Sequence, residues 1–200
     1  TGASRTDAGV HALGNVAVFD TASSIPADKF TYALNRYLPE DIIIQQSDEV
    51  ESDFHPRHCD TRKTYCYSIL NTEFGLPKKR NYTWNVPGNI DISKMQEAAE
   101  YLVGEHDFKS FWCVRTQTET TVRTIYSLDV DRKGDEILIT VTGNGFLYNM
   151  VRIIAGTLIQ VGKGKFNPEY VKEMLDAKDR TQAGQTAPPQ GLTLMRIEYL

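Results

Sequence analysis

The sequence predicts an α+β fold in which a largely antiparallel sheet is covered by helices. Three stretches carry that expectation. "VRTIYSLDVDRKGDEILITVTG" (122–143) reads as two strands turning at "RKGD", a hairpin. "TRKTYCYSILN" (61–71) alternates and is rich in β-formers, so it reads as a strand with Tyr65 and Tyr67 on one face. "DISKMQEAAEYLVG" (91–104) has the period of an amphipathic helix. Its stripe is Met95, Ala98, Ala99, Leu102 and Val103, and Gly104 suits its C-terminal cap.

The remaining elements follow in order. "NVAVFDT" (15–21) reads as a short strand, and "IPADKFTYALNRYLP" (25–39) as a helix between Pro26 and Pro39. "DIIIQQS" (41–47) is an apolar strand, and "FGLPKKRN" (74–81) a basic loop. "GFLYNMVRIIAGTLIQVG" (145–162) is a second long helix. "NPEYVKEMLDA" (167–177) is a third, with Asn167 as N-cap and Pro168 at the first helical position. "GLTLMRIEYL" (191–200) closes as a strand. No internal repeat or low-complexity segment stands out.

The 200 residues suffice for one large domain or two small ones with a real core. A content of 40% hydrophobic and 24% charged residues is that of an ordinary globular chain. No run of about eighteen apolar residues predicts a membrane helix, and no basic-then-apolar leader opens the chain. It begins at Thr1, without Met, directly on a motif, so the natural start is expected upstream. Cys59, Cys66 and Cys113 are odd in number and in no C-x-x-C pairing, which favours free thiols in a reducing cytoplasm. The net charge of -4 weighs against a nucleic-acid partner at long range but leaves room for a local basic cleft.

"SRTDAGVHALG" (4–14) sets Asp7 two residues after Arg5 and just before Ala8-Gly9. Taken alone, such an aspartate is a turn or cap residue bonding the N–H groups ahead of it. The long helix holds a second puzzle. Leu147, Met150, Val151, Ile154, Leu158 and Val161 share one face, while Ala155 and Ile159 make the other face apolar too. A helix apolar nearly all round is buried on both sides. Arg152 projects from the second face, and a buried guanidinium is costly unless paired. Either Arg152 snorkels to a nearby surface, or it meets a distant carboxylate, for which Asp7 is a candidate.

Aromatic and basic residues interleave in "RKTYCYS", just after "FHPRH" (54–58), a pattern suited to phosphates and stacked bases. Tyr65 and Tyr67 also fit as ordinary half-buried strand residues. His55, His58, Cys59 and Cys66 suggest zinc, but their spacing matches no usual structural site, and strand alternation points Cys66 away from the tyrosines.

With these residues assembled, "SRTDAGVHA" resembles the catalytic motif of the tRNA pseudouridine synthase A family. "FHPRH", "RKTYCYS", "HDFKSF" (106–111), "FLYNMVRIIAGTL" (146–158), "VGKGK" (161–165) and "TAPPQGLTL" (186–194) stand in that family's order. The resemblance implies a pseudouridine synthase fold, two ferredoxin-like halves sharing a mostly antiparallel sheet flanked by helices, with the N-terminal strand and helix missing. Residues 1–51 would be the remainder of the first half, carrying the catalytic Asp loop, and 52–200 the second half. It implies isomerisation of uridine to pseudouridine on the 3′ side of the anticodon stem-loop (positions 38–40 of tRNA), without a cofactor or metal, by a homodimer.

Residue by residue, Asp7 matches the nucleophile and Arg152 the arginine paired with it. Tyr65 matches the tyrosine that packs on the target uracil, Arg5 the arginine of base flipping, and Leu192 an apolar pocket contact. Phe54, His55, Arg57 and His58 fall in a segment that touches tRNA. These residue types suit the chemistry. A base inside a stem must be flipped out to be reached, and a guanidinium such as Arg5 can fill the gap or fork onto phosphate. An ionised Asp7 can attack, or stabilise cationic character as the glycosidic bond breaks, and Arg152 favours that ionised form. Stacking on Tyr65 is worth roughly 1–3 kcal/mol per base.

The chain departs from the family in three places. The upstream strand and helix are missing, which is expected to expose apolar surface. Glu119, in the loop "RTQTETT" (115–121), stands where relatives tend to carry a basic residue facing tRNA. Tyr148 and Trp112 fill variable positions. Two other functions compete: a catalytically inactive tRNA-binding module or fragment, and a metal-dependent hydrolase built on the His/Cys segment. Asp7, Arg152 and Tyr65 together favour the isomerase, because binding phosphates does not call for a carboxylate.

Overall fold

Residues 1–113 and 118–200 are described by the computed structural model of the chain. They form two compact units, 1–3 with 16–59 and 4–15 with 60–200. The division proposed at 51/52 differs from these units in two places: residues 4–15 group with the larger one and residues 52–59 with the smaller.

In the larger unit, β-branched and aromatic residues build the central strand β2 (Thr61–Leu70), after the two-residue β1 (His11–Ala12). β3 (Trp84–Asn85), β4 (Gly104–Asp107), β5 (Val122–Lys133), β6 (Glu136–Gly143) and β7 (Leu192–Tyr199) complete a seven-stranded sheet. Its order is β1-β7-β2-β6-β5-β4, with β3 beside β2. The long pairings are antiparallel; only the two-residue β1 and β3 run parallel to their neighbours. The expected hairpin is β5–β6, with Lys133 opposite Glu136 and Gly134 at φ 61° in the turn.

Alternation sends Tyr67 and Ile69 of β2 and Ile137, Ile139 and Val141 of β6 into one core. The helices α2 (Ile92–Glu100), α3 (Met150–Gly162) and α4 (Tyr170–Ala177) contribute to it Met95, Ala98 and Ala99, then Ile153 and Leu158, and then Val171 and Met174. α3 is buried on both faces, as its composition requires: Met150, Ile153, Ile154, Ala155, Leu158 and Ile159 are all inaccessible. The Gly162 backbone passes so close to α2 that a Cβ there would lie 2.8 Å from Met95 Sδ. The mixed α+β architecture is the one expected.

Several boundaries move, each for a local reason. α3 begins at Met150 rather than 145, because Asn149 is left-handed at φ 63° and cannot continue a helix. α4 begins at Tyr170, with Glu169 at its cap; Asn167 and Pro168 instead accept from the Tyr170 and Val171 N–H groups in a lead-in turn. α2 is capped by Asp91, whose carboxylate accepts from the Lys94 N–H, and it ends at Glu100. Gly104, at φ 107°, opens β4 rather than capping the helix, and Val103 is exposed. β4 is too short to announce itself in the sequence.

The smaller unit holds α1 (Phe30–Asn35), which follows a 3-10 turn at Ala27–Lys29, so the helix expected over 25–39 is real but short. The strands expected at 15–21 and 41–47 do not form. Ala17 makes only an isolated bridge to Gly2, and Ile44 is held by a side chain in place of a strand. Asn35 Oδ1 accepts from the Ile44 N–H at 2.8 Å, and its Nδ2 donates to the Ile44 carbonyl at 2.9 Å. Phe19, Tyr32, Tyr37, Ile42 and Ile43 are exposed, and Ala3 and Pro56 are this unit's buried residues. Among the described residues no helix is long and apolar enough to cross a membrane.

Candidate active site

The segment 4–15 joins the larger unit at one end of the sheet, where β1 pairs with β7. Asp7 begins a tight turn: its carbonyl accepts from the Val10 N–H at 3.0 Å, and Gly9 supplies the required positive φ of 82°. The turn expected from the residues alone is therefore present, but it uses the backbone of Asp7. The carboxylate is directed elsewhere. Asp7 Oδ2 accepts from Arg152 Nη1 at 3.0 Å, across 145 residues of chain.

Arg152 does not snorkel. Its side chain is only 14% exposed, against 27% for Asp7. Nε donates to the Ala187 carbonyl at 2.7 Å, and Nη1 also donates to Asn149 Oδ1 at 2.8 Å. Three acceptors thus offset the cost of carrying a guanidinium into an apolar helix. The 184–187 segment reaches Arg152 because α3 carries Gly156 and Thr157 there. A Cβ on Gly156 would sit 1.9 Å from the Gln185 carbonyl oxygen, and Thr157 Oγ1 accepts from the Gly184 N–H at 2.9 Å.

Tyr65 faces the same place from β2. Its phenol hydrogen-bonds the Ser4 side chain, and its ring meets the edge of Phe146 at 5.3 Å between centroids. Burial holds that phenol above the ordinary tyrosine value; the Ser4 bond opposes this and the Asp7 charge adds to it. Tyr67, next but one on the strand, donates to the Pro188 carbonyl at 2.7 Å. Burial pushes it well above the usual range, with the Arg152 charge working against. Leu192 is buried at the start of β7, opposite Tyr67. Arg5 is exposed.

The sequence-predicted residues Asp7, Arg152, Tyr65 and Leu192 thus all belong to the larger unit. The 54–58 segment belongs to the smaller one. There His55 and His58 stack at 3.8 Å, Arg57 Nε donates to the Gly2 carbonyl at 2.7 Å, and Cys59 Sγ donates to the His55 carbonyl. Among the described residues no three His, Cys, Asp or Glu side chains gather to hold a metal ion, and the three cysteines are free thiols. Part of the 115–121 loop, residues 115–117, lies outside the described residues.

Sequence reasoning missed Ser4, Phe146, Asn149 and the Ala187 carbonyl. One signal was available: a glycine inside a helix, Gly156, marks a close backbone approach. The others are single contacts between distant segments.

A family model described as tRNA pseudouridine synthase matches residues 1–58 and 98–200. The chain belongs to the tRNA pseudouridine synthase family. It is 51% identical over 198 residues to a protein of Thermoanaerobacter sp. (strain X514) named tRNA pseudouridine synthase A, covering 99% of this chain and 81% of that one. The tRNA pseudouridine synthase A 2 of Clostridium perfringens is 50% identical over the same shares. The tRNA pseudouridine synthase A of Bacillus subtilis is 47% identical, over 98% of this chain and 79% of its own. As a tRNA pseudouridine synthase family member, the chain is expected to hold its reactive group in a pocket that accepts a flipped base. The Asp7–Tyr65–Arg152 cluster is the candidate.

Proposed function

We propose that this tRNA-uridine isomerase acts on uridines on the 3′ side of the anticodon stem-loop, with Asp7 as nucleophile. The observation that carries the assignment is the Asp7 carboxylate held by Arg152 beside the ring of Tyr65. The guanidinium gives the carboxylate a charged partner in a half-buried pocket, where a carboxylate alone would be costly.

The reaction breaks the N1–C1′ bond and forms a C5–C1′ bond. The C5 hydrogen leaves as a proton, N1 gains one, and the product is an isomer of the substrate. Asp7 engages the nucleoside as the first bond breaks, Tyr65 holds the detached uracil by its ring, and Leu192 closes the apolar side of the pocket. Arg5 takes the space or the phosphate that the flipped nucleotide vacates. Phe54, His55, Arg57 and His58 contact the tRNA. The reaction consumes no redox equivalent and is proposed to need no cofactor. We place the enzyme in the cytoplasm as a homodimer.

The test is to incubate the protein with an unmodified tRNA transcript and map pseudouridine by carbodiimide-blocked primer extension. Stops on the 3′ side of the anticodon stem support the assignment. Stops confined to another arm would overturn the target, and tRNA binding without any stop would favour a non-catalytic binding module.

A further inference from the structure

We propose that Asn149 is a positioning residue for the reaction: its side-chain oxygen fixes the guanidinium that in turn aims the Asp7 carboxylate. This rests on the assignment of Asp7 as nucleophile.

Asn149 stands at the N-terminus of α3, where an asparagine ordinarily caps the helix. A capping asparagine has an extended backbone, and its side chain accepts from an N–H of the first turn. The chain contains such a cap for comparison: Asp91, before α2, has φ -84° and ψ 104°, and its carboxylate accepts from the Lys94 N–H. Asn149 does neither. Its backbone is left-handed, at φ 63° and ψ 3°, and its side chain makes no capping bond. The helix gains nothing from the amide, while the left-handed conformation itself carries a cost that asparagine bears better than most residues.

What the conformation achieves is the placement of Oδ1. That atom lies 2.8 Å from Arg152 Nη1, the same nitrogen that donates to Asp7 Oδ2 at 3.0 Å. With Nε on the Ala187 carbonyl, the guanidinium is held at two points before it meets the aspartate. Rotation about the terminal bonds of Arg152 would break one of them. The amide is also neutral, so it fixes the arginine without competing for its charge. An aspartate there would fix it equally well but would share its charge and set a second carboxylate near the first. Arg152 from α3 and Tyr65 from β2 face Asp7, and Tyr67 faces Arg152.

Two variants separate positioning from folding, each measured on the full chain against a tRNA transcript. Asn149→Gly removes the amide and keeps the left-handed backbone, which glycine adopts freely. Its single-turnover rate should fall roughly 10- to 100-fold, the scale of a misplaced catalytic group. Its tRNA Kd should stay within about twofold, as for a residue acting only in the chemical step. Asn149→Asp keeps an acceptor at the same place, so its rate should stay closer to wild type than that of Asn149→Gly. A wild-type rate in Asn149→Gly, or an Asn149→Asp as slow as Asn149→Gly, would overturn the proposal. Asp7→Asn is run alongside. If it retains turnover, the nucleophile assignment fails; if it is inactive while both Asn149 variants match wild type, only the positioning role fails.

Discussion

Tyr65 and Tyr67 lie two residues apart on β2 but differ in their hydrogen-bond partners. Tyr67 donates its proton to a backbone carbonyl, that of Pro188, whereas the Tyr65 phenol oxygen is hydrogen-bonded by the Ser4 side chain. Both phenols are held neutral by burial, so the folded state binds their protons more tightly than the unfolded chain does. The sign follows: this contribution is complete below the unfolded tyrosine value, about 10, and is lost as pH rises above it. The fold should therefore weaken in alkali. In Tyr67→Phe that alkaline loss should be shallower, at a cost near neutrality of about 1 kcal/mol for the lost hydrogen bond. Denaturant midpoints measured from pH 8 to 11 check both statements, and equal slopes for the two proteins would contradict them. At this scale the sequence was informative about one pairing: an arginine in an apolar helix calls for a carboxylate, and the structure sets Asp7 against Arg152. It was silent on Ser4 and Asn149. A serine before an arginine and an asparagine before a helix have ordinary local roles, and only the fold shows the bonds they make instead.

The elements that hold the site are α3 and the strap at 184–187, joined where α3 gives up a side chain. Gly156 lets the Gln185 carbonyl approach the helix, and the Ala187 N–H donates back to the Arg152 carbonyl at 3.1 Å. Alanine at 156 would favour the isolated helix by about 1 kcal/mol. Its methyl would nevertheless collide with the strap, and overpacking of this kind costs about 1–3 kcal/mol. The expected outcome for Gly156→Ala is a net loss of stability in denaturant unfolding, together with slower turnover because the Ala187 carbonyl is displaced from Arg152. A more stable Gly156→Ala would show that the strap is not seated on the helix. The strongly patterned elements, β2, the β5–β6 hairpin and α2, were legible because periodicity and turn chemistry agreed. The ends of α3 and α4 were not: backbone conformation at Asn149 and a lead-in turn at Asn167 decided them. The two expected strands at 15–21 and 41–47 had the right composition, but a strand also needs a neighbour, and Asn35 took that place at Ile44.

On the scale of the whole molecule, the net charge of -4 says little about what the chain handles. The candidate site lies where residues 4–15, β2, α3 and the start of β7 converge. That convergence joins Asp7 to Arg152 from opposite ends of the sequence, and the rest of the larger unit serves to keep α3 and β2 fixed beneath it. The Asp7 carboxylate is proposed to perform the isomerisation, while the surrounding fold binds and presents the tRNA. The most direct measurement compares wild type with Asp7→Asn, a near-isosteric change, in single-turnover pseudouridine formation and in tRNA binding. Asp7→Asn is expected to show no detectable turnover with tRNA affinity within about twofold of wild type, as for a residue needed only in the transition state. Turnover that survived in Asp7→Asn would contradict that role.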